Sequence, residues 1–327
     1  MAKSSKAKGV VLGILIALFV FEAFDFLGGY DYIKAMQYQP SAEMETVINN
    51  LDLTDRGERI LKAANPNLDS RDTFNKKCNS HTVEIYVLGC YLTGDDAIHL
   101  YDVDTEELDG VKESTTAHEL LHAVYNRLPF WEKSSLNNQL KMVYDSLDEN
   151  NEIKTSMKLY NDDDFYDELH SRLGTEIKDL PSELEKHYAA IFNDQDAIVD
   201  YYEKYSGTFK TLENELKTIE GKLENLKKEI DEEETRLKNT AANLNIRIDD
   251  YNSRVSAGNY SSVSAAKTEG NKLQMEVDKL NSDYDELSKK IAEYNKLIGE
   301  YNNSVIRTNQ IFDSINSNSE IIETVNN

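Results

Sequence analysis

Beyond residue 206 the apolar positions keep a 4-3 spacing. Leu212, Leu216, Ile219, Leu223, Leu226 and Ile230 form one seam, which resumes one residue out of phase at Leu237, Ala241, Leu244, Ile248, Tyr251 and Val255. Such a repeat with a stutter predicts a long helix bearing a narrow apolar stripe. Ser256-Ala257-Gly258-Asn259 breaks it, and a second series runs from Leu273 through Leu280, Leu287, Tyr294 and Tyr301 to Phe312. Two seams of similar length joined by a short polar hinge predict a long antiparallel coiled-coil helical hairpin over 207–316. Parallel pairing between chains is the alternative the pattern leaves open. Neither seam carries catalytic side chains, so the segment reads as a spacer or docking arm for a protein partner or a second copy. Residues 317–327 form a polar tail.

The pattern upstream is mixed. Pro40-Ser41 opens a helical stretch through Ala64, punctuated at Gly57 and ended by Asn65-Pro66. Residues 82–89 and 97–103 read as two strands, with Thr93-Gly94-Asp95-Asp96 as the turn between them. A helix is expected over Ser114–Arg127, stopped by Pro129, and others over 132–148, 163–173 and 182–205. Residues 30–206 are thus an α+β domain. Trp131, directly after Pro129-Phe130, is expected in its core.

The N-terminus changes the picture. Lys3, Lys6 and Lys8 precede an unbroken apolar run from Val10 to Phe21, and residues 1–29 read as a membrane anchor or signal segment. No small-x-small cleavage site follows, so the expectation is a membrane-anchored protein with everything after residue 30 extracytoplasmic; secretion is the alternative. Cys78 and Cys90 flank a strand-like run and are expected to form a disulfide, because export is independently indicated; neither has the short spacing of a metal site. With 60 acidic against 36 basic residues the net charge is −24. That surface repels phosphate backbones, so nucleic acid is excluded as a partner.

The candidate chemistry sits in His118-Glu119-Leu120-Leu121-His122. Histidines four apart on a helix share one face, about 6 Å apart along the axis, so both imidazoles can reach one ion. Glu119 is rotated from His118 by about 100°, toward the open side of the metal. There it takes a proton from a zinc-bound water instead of ligating, and later passes it to the leaving amine. With six His in 327 residues, this pattern arises by accident only about 0.01 times per chain.

On that motif the sequence resembles the HExxH zinc peptidases, the zincins. Tyr125 and Leu128 stand where the metzincin branch has its extra Gly and His, so that branch is excluded. Glu168-Leu169-His170-Ser171-Arg172 matches the pattern of the gluzincin branch, whose third ligand is a Glu on a later helix. The resemblance therefore implies a zincin-like metallopeptidase domain binding Zn2+ through His118, His122 and Glu168, with Glu119 as general base. Glu176 is the main rival for third ligand, followed by His170 and His99. The resemblance also implies that the strand at 97–103 is the edge along which substrate lies extended. An oxyanion stabiliser is expected among His170, Arg172, His187, Tyr166 and Tyr188.

The leading expectation is a zinc metallopeptidase hydrolysing a peptide or protein substrate. One alternative is an interaction protein whose coiled coil acts while zinc only holds the fold. Another is a zinc hydrolase acting on cell-wall peptides.

Overall fold

The computed structural model describes residues 28–78, 87–161 and 164–317. They divide into two compact units: the described residues up to Thr208 together with those from Ile311 onward, and Phe209–Gln310.

The described part of the first unit begins with helices α1 (Gly29–Gln37), α2 (Ala42–Asn50) and α3 (Asp55–Ala63). The pattern predicts one helix through 41–64, but the chain turns at Asp52, whose φ is +43°. Ser41 and Thr54 each start a helix, accepting hydrogen bonds from the backbone N–H groups of Met44 and Gly57. Gly57 lies inside α3 rather than at the break, and a Cβ there would sit 2.3 Å from the Ile191 carbonyl oxygen. Only glycine permits that approach.

The sheet has strands β1 (Asn67–Asp69), β2 (Gly89–Leu92) and β3 (Ala97–Tyr101), in the order β1-β3-β2. β3 runs parallel to β1 and antiparallel to β2, with Cys90 opposite His99 and Tyr91 opposite Ile98. Most of the strand expected at 82–89 lies outside the described residues; Gly89 opens β2. The strand expected at 97–103 is the central one, flanked by hydrogen-bonded neighbours on both sides. It offers a substrate no edge, which corrects the expectation; among the described residues the edges belong to β1 and β2. Helix α4 (Arg71–Cys78) joins β1 to the segment before β2, and a disulfide links Cys78 to Cys90. Closing a loop of this length typically contributes about 2–4 kcal/mol.

Helix α5 (Val111–Arg127) is the centre of the unit. Its Ala117, Leu120, Leu121, Ala123 and Val124 are completely buried, as are Ile98, Leu169, Leu173, Leu184 and Phe192 from elements packed around it. Each fully buried Leu, Ile, Val or Phe among them contributes about 1.5–3 kcal/mol. Helices α6 (Phe130–Ser146), α7 (Glu152–Ser156), α8 (Phe165–Glu176) and α9 (Ser182–Tyr188) complete the layer. Trp131 is 62% exposed rather than in the core, because it sits in the first turn of α6, ahead of the positions that face inward. The helix expected over 182–205 is interrupted after Tyr188, and α10 (Gln195–Ser256) then continues without a break through residue 206.

The second unit is an antiparallel helical hairpin made from α10 and α11 (Val263–Ile315). Leu212, Leu237, Leu244, Leu273 and Leu287 are buried along its seam. Cross-helix partners advance along one helix as they retreat along the other: Glu220 with Tyr301, Glu229 with Lys290, Arg236 with Asp283, Arg247 with Glu276. Exposed pairs of this kind contribute little each, so the apolar seam holds the hairpin. The C-terminal end of α11 belongs to the first unit.

The expectation of a membrane-anchored, extracytoplasmic protein is corrected. Among the described residues no helix is long and apolar enough to cross a membrane. The apolar run Val10–Phe21 on which that expectation rested lies outside the described residues. The long helices, α10 and α11, carry charged residues along most of their length.

Candidate metal centre

Two helices build the centre. α5 presents His118, Glu119 and His122, one turn apart in the histidines, and its opposite face is the buried apolar stripe that fixes its rotation. α8 packs against α5 and brings Glu168, buried at 6% exposure, to the two imidazoles. The Nε2 atoms of His118 and His122 are 3.2 Å apart, and Glu168 Oε2 lies 3.7 Å from the first and 3.5 Å from the second. These three groups form a cluster that can hold a metal ion.

The groups behind the triangle orient it. Asp167 Oδ1 is 2.9 Å from His122 Nδ1, which directs Nε2 of that ring toward the centre. Arg172 Nε donates to Glu168 Oε1 at 2.7 Å, leaving Oε2 for the centre. The other end of the guanidinium donates to Glu176 Oε1 at 3.1 Å.

Charge in the site favours a cation. Burial would raise the Glu168 carboxyl, but the two imidazoles outweigh it and hold the carboxyl well below its usual range. Burial would lower both histidines, yet Glu168 raises His118, and Asp167 with Glu168 raises His122 well above its ordinary value. Carboxylates that draw protons onto imidazoles attract a divalent ion by the same field, and metal binding releases those protons.

The centre opens on a cleft of about 1060 Å³, lined among others by Val87–Leu92, His118, Glu119, His122, Tyr160, Glu168, Arg172, Tyr202 and Tyr205. Glu119 is 5% exposed. It lies against β2, where a Cβ on Gly89 would be 2.6 Å from Glu119 Oε1 and 2.7 Å from Thr115 Cγ2. Gly89 is therefore what lets the edge strand approach this carboxylate, a role that no motif in the sequence announces.

The remaining candidates separate. Glu176 lies in the last turn of α8, not beyond its end, and pairs with Arg172 rather than with the histidines. His99 in β3 is 2.6 Å from Asp69 in β1. His170 and His187 face each other, Nε2 to Nε2, at 2.9 Å, with the Tyr188 ring stacked on His170. Burial pushes both imidazoles down, His187 to about 4 with help from Arg56. That cluster is away from the cleft lining, as is Tyr166, which packs edge-on to Phe165. Of the residues expected as oxyanion stabilisers, Arg172 alone lines the cleft, and two carboxylates already hold it. Tyr160, Tyr202 and Tyr205 line it too, and sequence reasoning missed them. Tyr202 and Tyr205 sit on the first turns of α10, where no local spacing points toward α5.

Compared with known proteins, the chain matches no family model, no curated protein and no solved structure.

Proposed function

We propose that the protein is a zinc-dependent metallopeptidase of the zincin type, with Glu119 as general base. The observation that carries this reading is the triangle of His118, His122 and Glu168 beside Glu119 in one open cleft. Ligands about 2.0 Å from a tetrahedral zinc are about 3.3 Å from one another. The triangle's sides of 3.2, 3.5 and 3.7 Å fit that size. Two imidazoles and one carboxylate are a donor set that zinc accepts, and three protein ligands would leave a bound zinc a position for water or substrate. A structural zinc would normally be closed by four ligands, often cysteines, and here both cysteines are joined in the disulfide.

When bound, zinc supplies a Lewis acid that acidifies water and polarises the peptide carbonyl. The chain's own residues do the rest. Glu119 accepts the proton of the attacking water and delivers it to the leaving amine. Asp167 keeps His122 in the ligating tautomer, and Arg172 fixes one oxygen of Glu168 so that the other is presented. Among the described residues β2 is an edge strand in the cleft lining, so an extended peptide can add to it through backbone hydrogen bonds.

Glu119→Gln is the decisive variant. It is expected to keep zinc, measured by metal content after dialysis, while peptide cleavage falls by about 10²–10⁴-fold. If the variant cleaves as well as the parent, Glu119 is not the base. If the parent binds zinc and cleaves no peptide bond, the centre is structural.

A further inference from the structure

The end of the hairpin is part of the metal-centre unit. Ile311, Ile315, Asn316 and Ser317 are all buried, at 2%, 5%, 9% and 3% exposure. A helix leaves its last four carbonyls without partners inside the helix, and α4 meets one of them. Arg71 donates to the Asp313 carbonyl at 2.8 Å and, through Nε, to the Tyr101 hydroxyl of β3 at 3.2 Å. Its positive charge also suits a helix C-terminus. One turn further along α4, the Asn75 amide donates to the Ser317 carbonyl. The Ser317 hydroxyl in turn donates to the Val87 carbonyl at 3.3 Å.

Val87 and Leu88 line the cleft and lead directly into β2. The Leu88 carbonyl accepts from the Tyr101 backbone at 2.7 Å. α4 thus reaches the rim twice, covalently through Cys78–Cys90 and through Ser317. Edge strands are held on one side only, so the pairing of a short one depends on what fixes its ends.

We propose that Ile311–Ser317 is a strap that positions the cleft rim Val87–Leu92, so that the rim holds its substrate-binding geometry only while the end of α11 is docked. The strap's part in substrate binding rests on the peptidase reading; its mechanical part does not. An arm that reads in the sequence as a spacer or docking arm therefore ends as a support behind the cleft rim. Excising the hairpin without harm to the cleft requires removing residues within 209–310 and leaving 311–317 in place.

The test uses the full chain with Asn75→Ala and Ser317→Ala together, and separately with Ile315→Asp, which puts a charge into the strap's buried seat. Amide exchange is followed by mass spectrometry. Once 311–317 exchanges faster than in the parent, the amides of 87–92 are expected to exchange about tenfold faster or more. Affinity for added zinc should stay within about twofold, since no ligand is touched. For a cleaved peptide, KM should rise about fivefold with kcat within about twofold, the mark of lost binding rather than lost chemistry. Exchange of 87–92 at the parent rate, in a variant whose 311–317 segment has been released, overturns the proposal. If the parent cleaves no peptide, the peptidase reading fails, and the strap is judged on exchange alone.

Discussion

Gly89→Ala adds one methyl group where β2 meets α5. Built on the existing backbone, that carbon would lie 2.6 Å from Glu119 Oε1, 2.7 Å from Thr115 Cγ2 and 2.8 Å from Glu119 Cγ. Non-bonded carbons settle at about 3.5–4.0 Å, so the overlap approaches roughly 1 Å against two side chains at once. Rotating the Glu119 carboxylate relieves only part of it, because its Cγ is also too close. Either Glu119 leaves its position or the strand lifts off the helix. Overpacking of this kind costs about 1–3 kcal/mol, and a displacement of about 1 Å at a catalytic group costs about 10²-fold in rate. The expected outcome is a urea midpoint lowered accordingly, zinc affinity close to the parent's, and kcat/KM for a cleaved peptide down by about two orders of magnitude. Gly94→Ala serves as control. Nothing lies within 4 Å of its added carbon, so stability should change by no more than about 0.5 kcal/mol. Gly89→Ala with parental unfolding and kcat/KM within about threefold would show that the strand does not press on Glu119.

Two further outcomes follow from the surroundings of the centre. Asp167→Asn removes the negative partner 2.9 Å from His122 Nδ1 and should weaken zinc binding about 10–100-fold in a competition titration; unchanged affinity removes Asp167 from the site. His187 concerns stability. Burial, aided by Arg56, lowers its pKa from 6.5 to about 4. Between those values the unfolded chain binds the extra proton, so this group's contribution is complete above pH 6.5 and is lost as pH falls toward 4. The slope is about 1.4 kcal/mol per pH unit, at most about 3 kcal/mol across the window. His187→Gln should flatten the acid limb of a stability–pH curve by that slope, and an unaltered limb rules the assignment out.

The histidine motif was legible because it is local. Four residues make little more than one turn, so the sequence spacing already sets both imidazoles on one face. The hairpin was legible for the same reason: its 4-3 spacing is a property of each helix alone. Glu168 was harder. Glu168, Arg172 and Glu176 follow one another at four-residue spacing on α8, so periodicity puts all three on the same face. Which glutamate meets the histidines depends on where α8 crosses α5, and the crossing point is set by Leu169 and Leu173 packing into the buried stripe of α5. The sequence also ended the helix at 173, although Gly174 fits inside it. Its missing side chain makes room for Leu121 and Tyr188, whose atoms would lie 2.5 Å from a Cβ there.

Other misreadings share that origin. Ala97–Tyr101 has the apolar character of a strand, but whether a strand is central or at an edge is decided by which segments pair with it, here β1 from before it and β2. The helical seam ran past residue 310 without a change of pattern, yet the first unit claims Ile311–Ser317, because Arg71 and Asn75 of α4 supply hydrogen bonds across 242 residues. By itself the sequence determined the repeating elements, the pairing of the two histidines with their neighbouring glutamate, and the cysteine bridge. Only the tertiary structure placed Glu168 against the two imidazoles, Gly89 beside Glu119, β2 at the sheet edge among the described residues, and Ile311–Ser317 against α4. Each of those is a contact between segments distant in the chain, and neither helical nor strand periodicity reaches beyond the element that carries it.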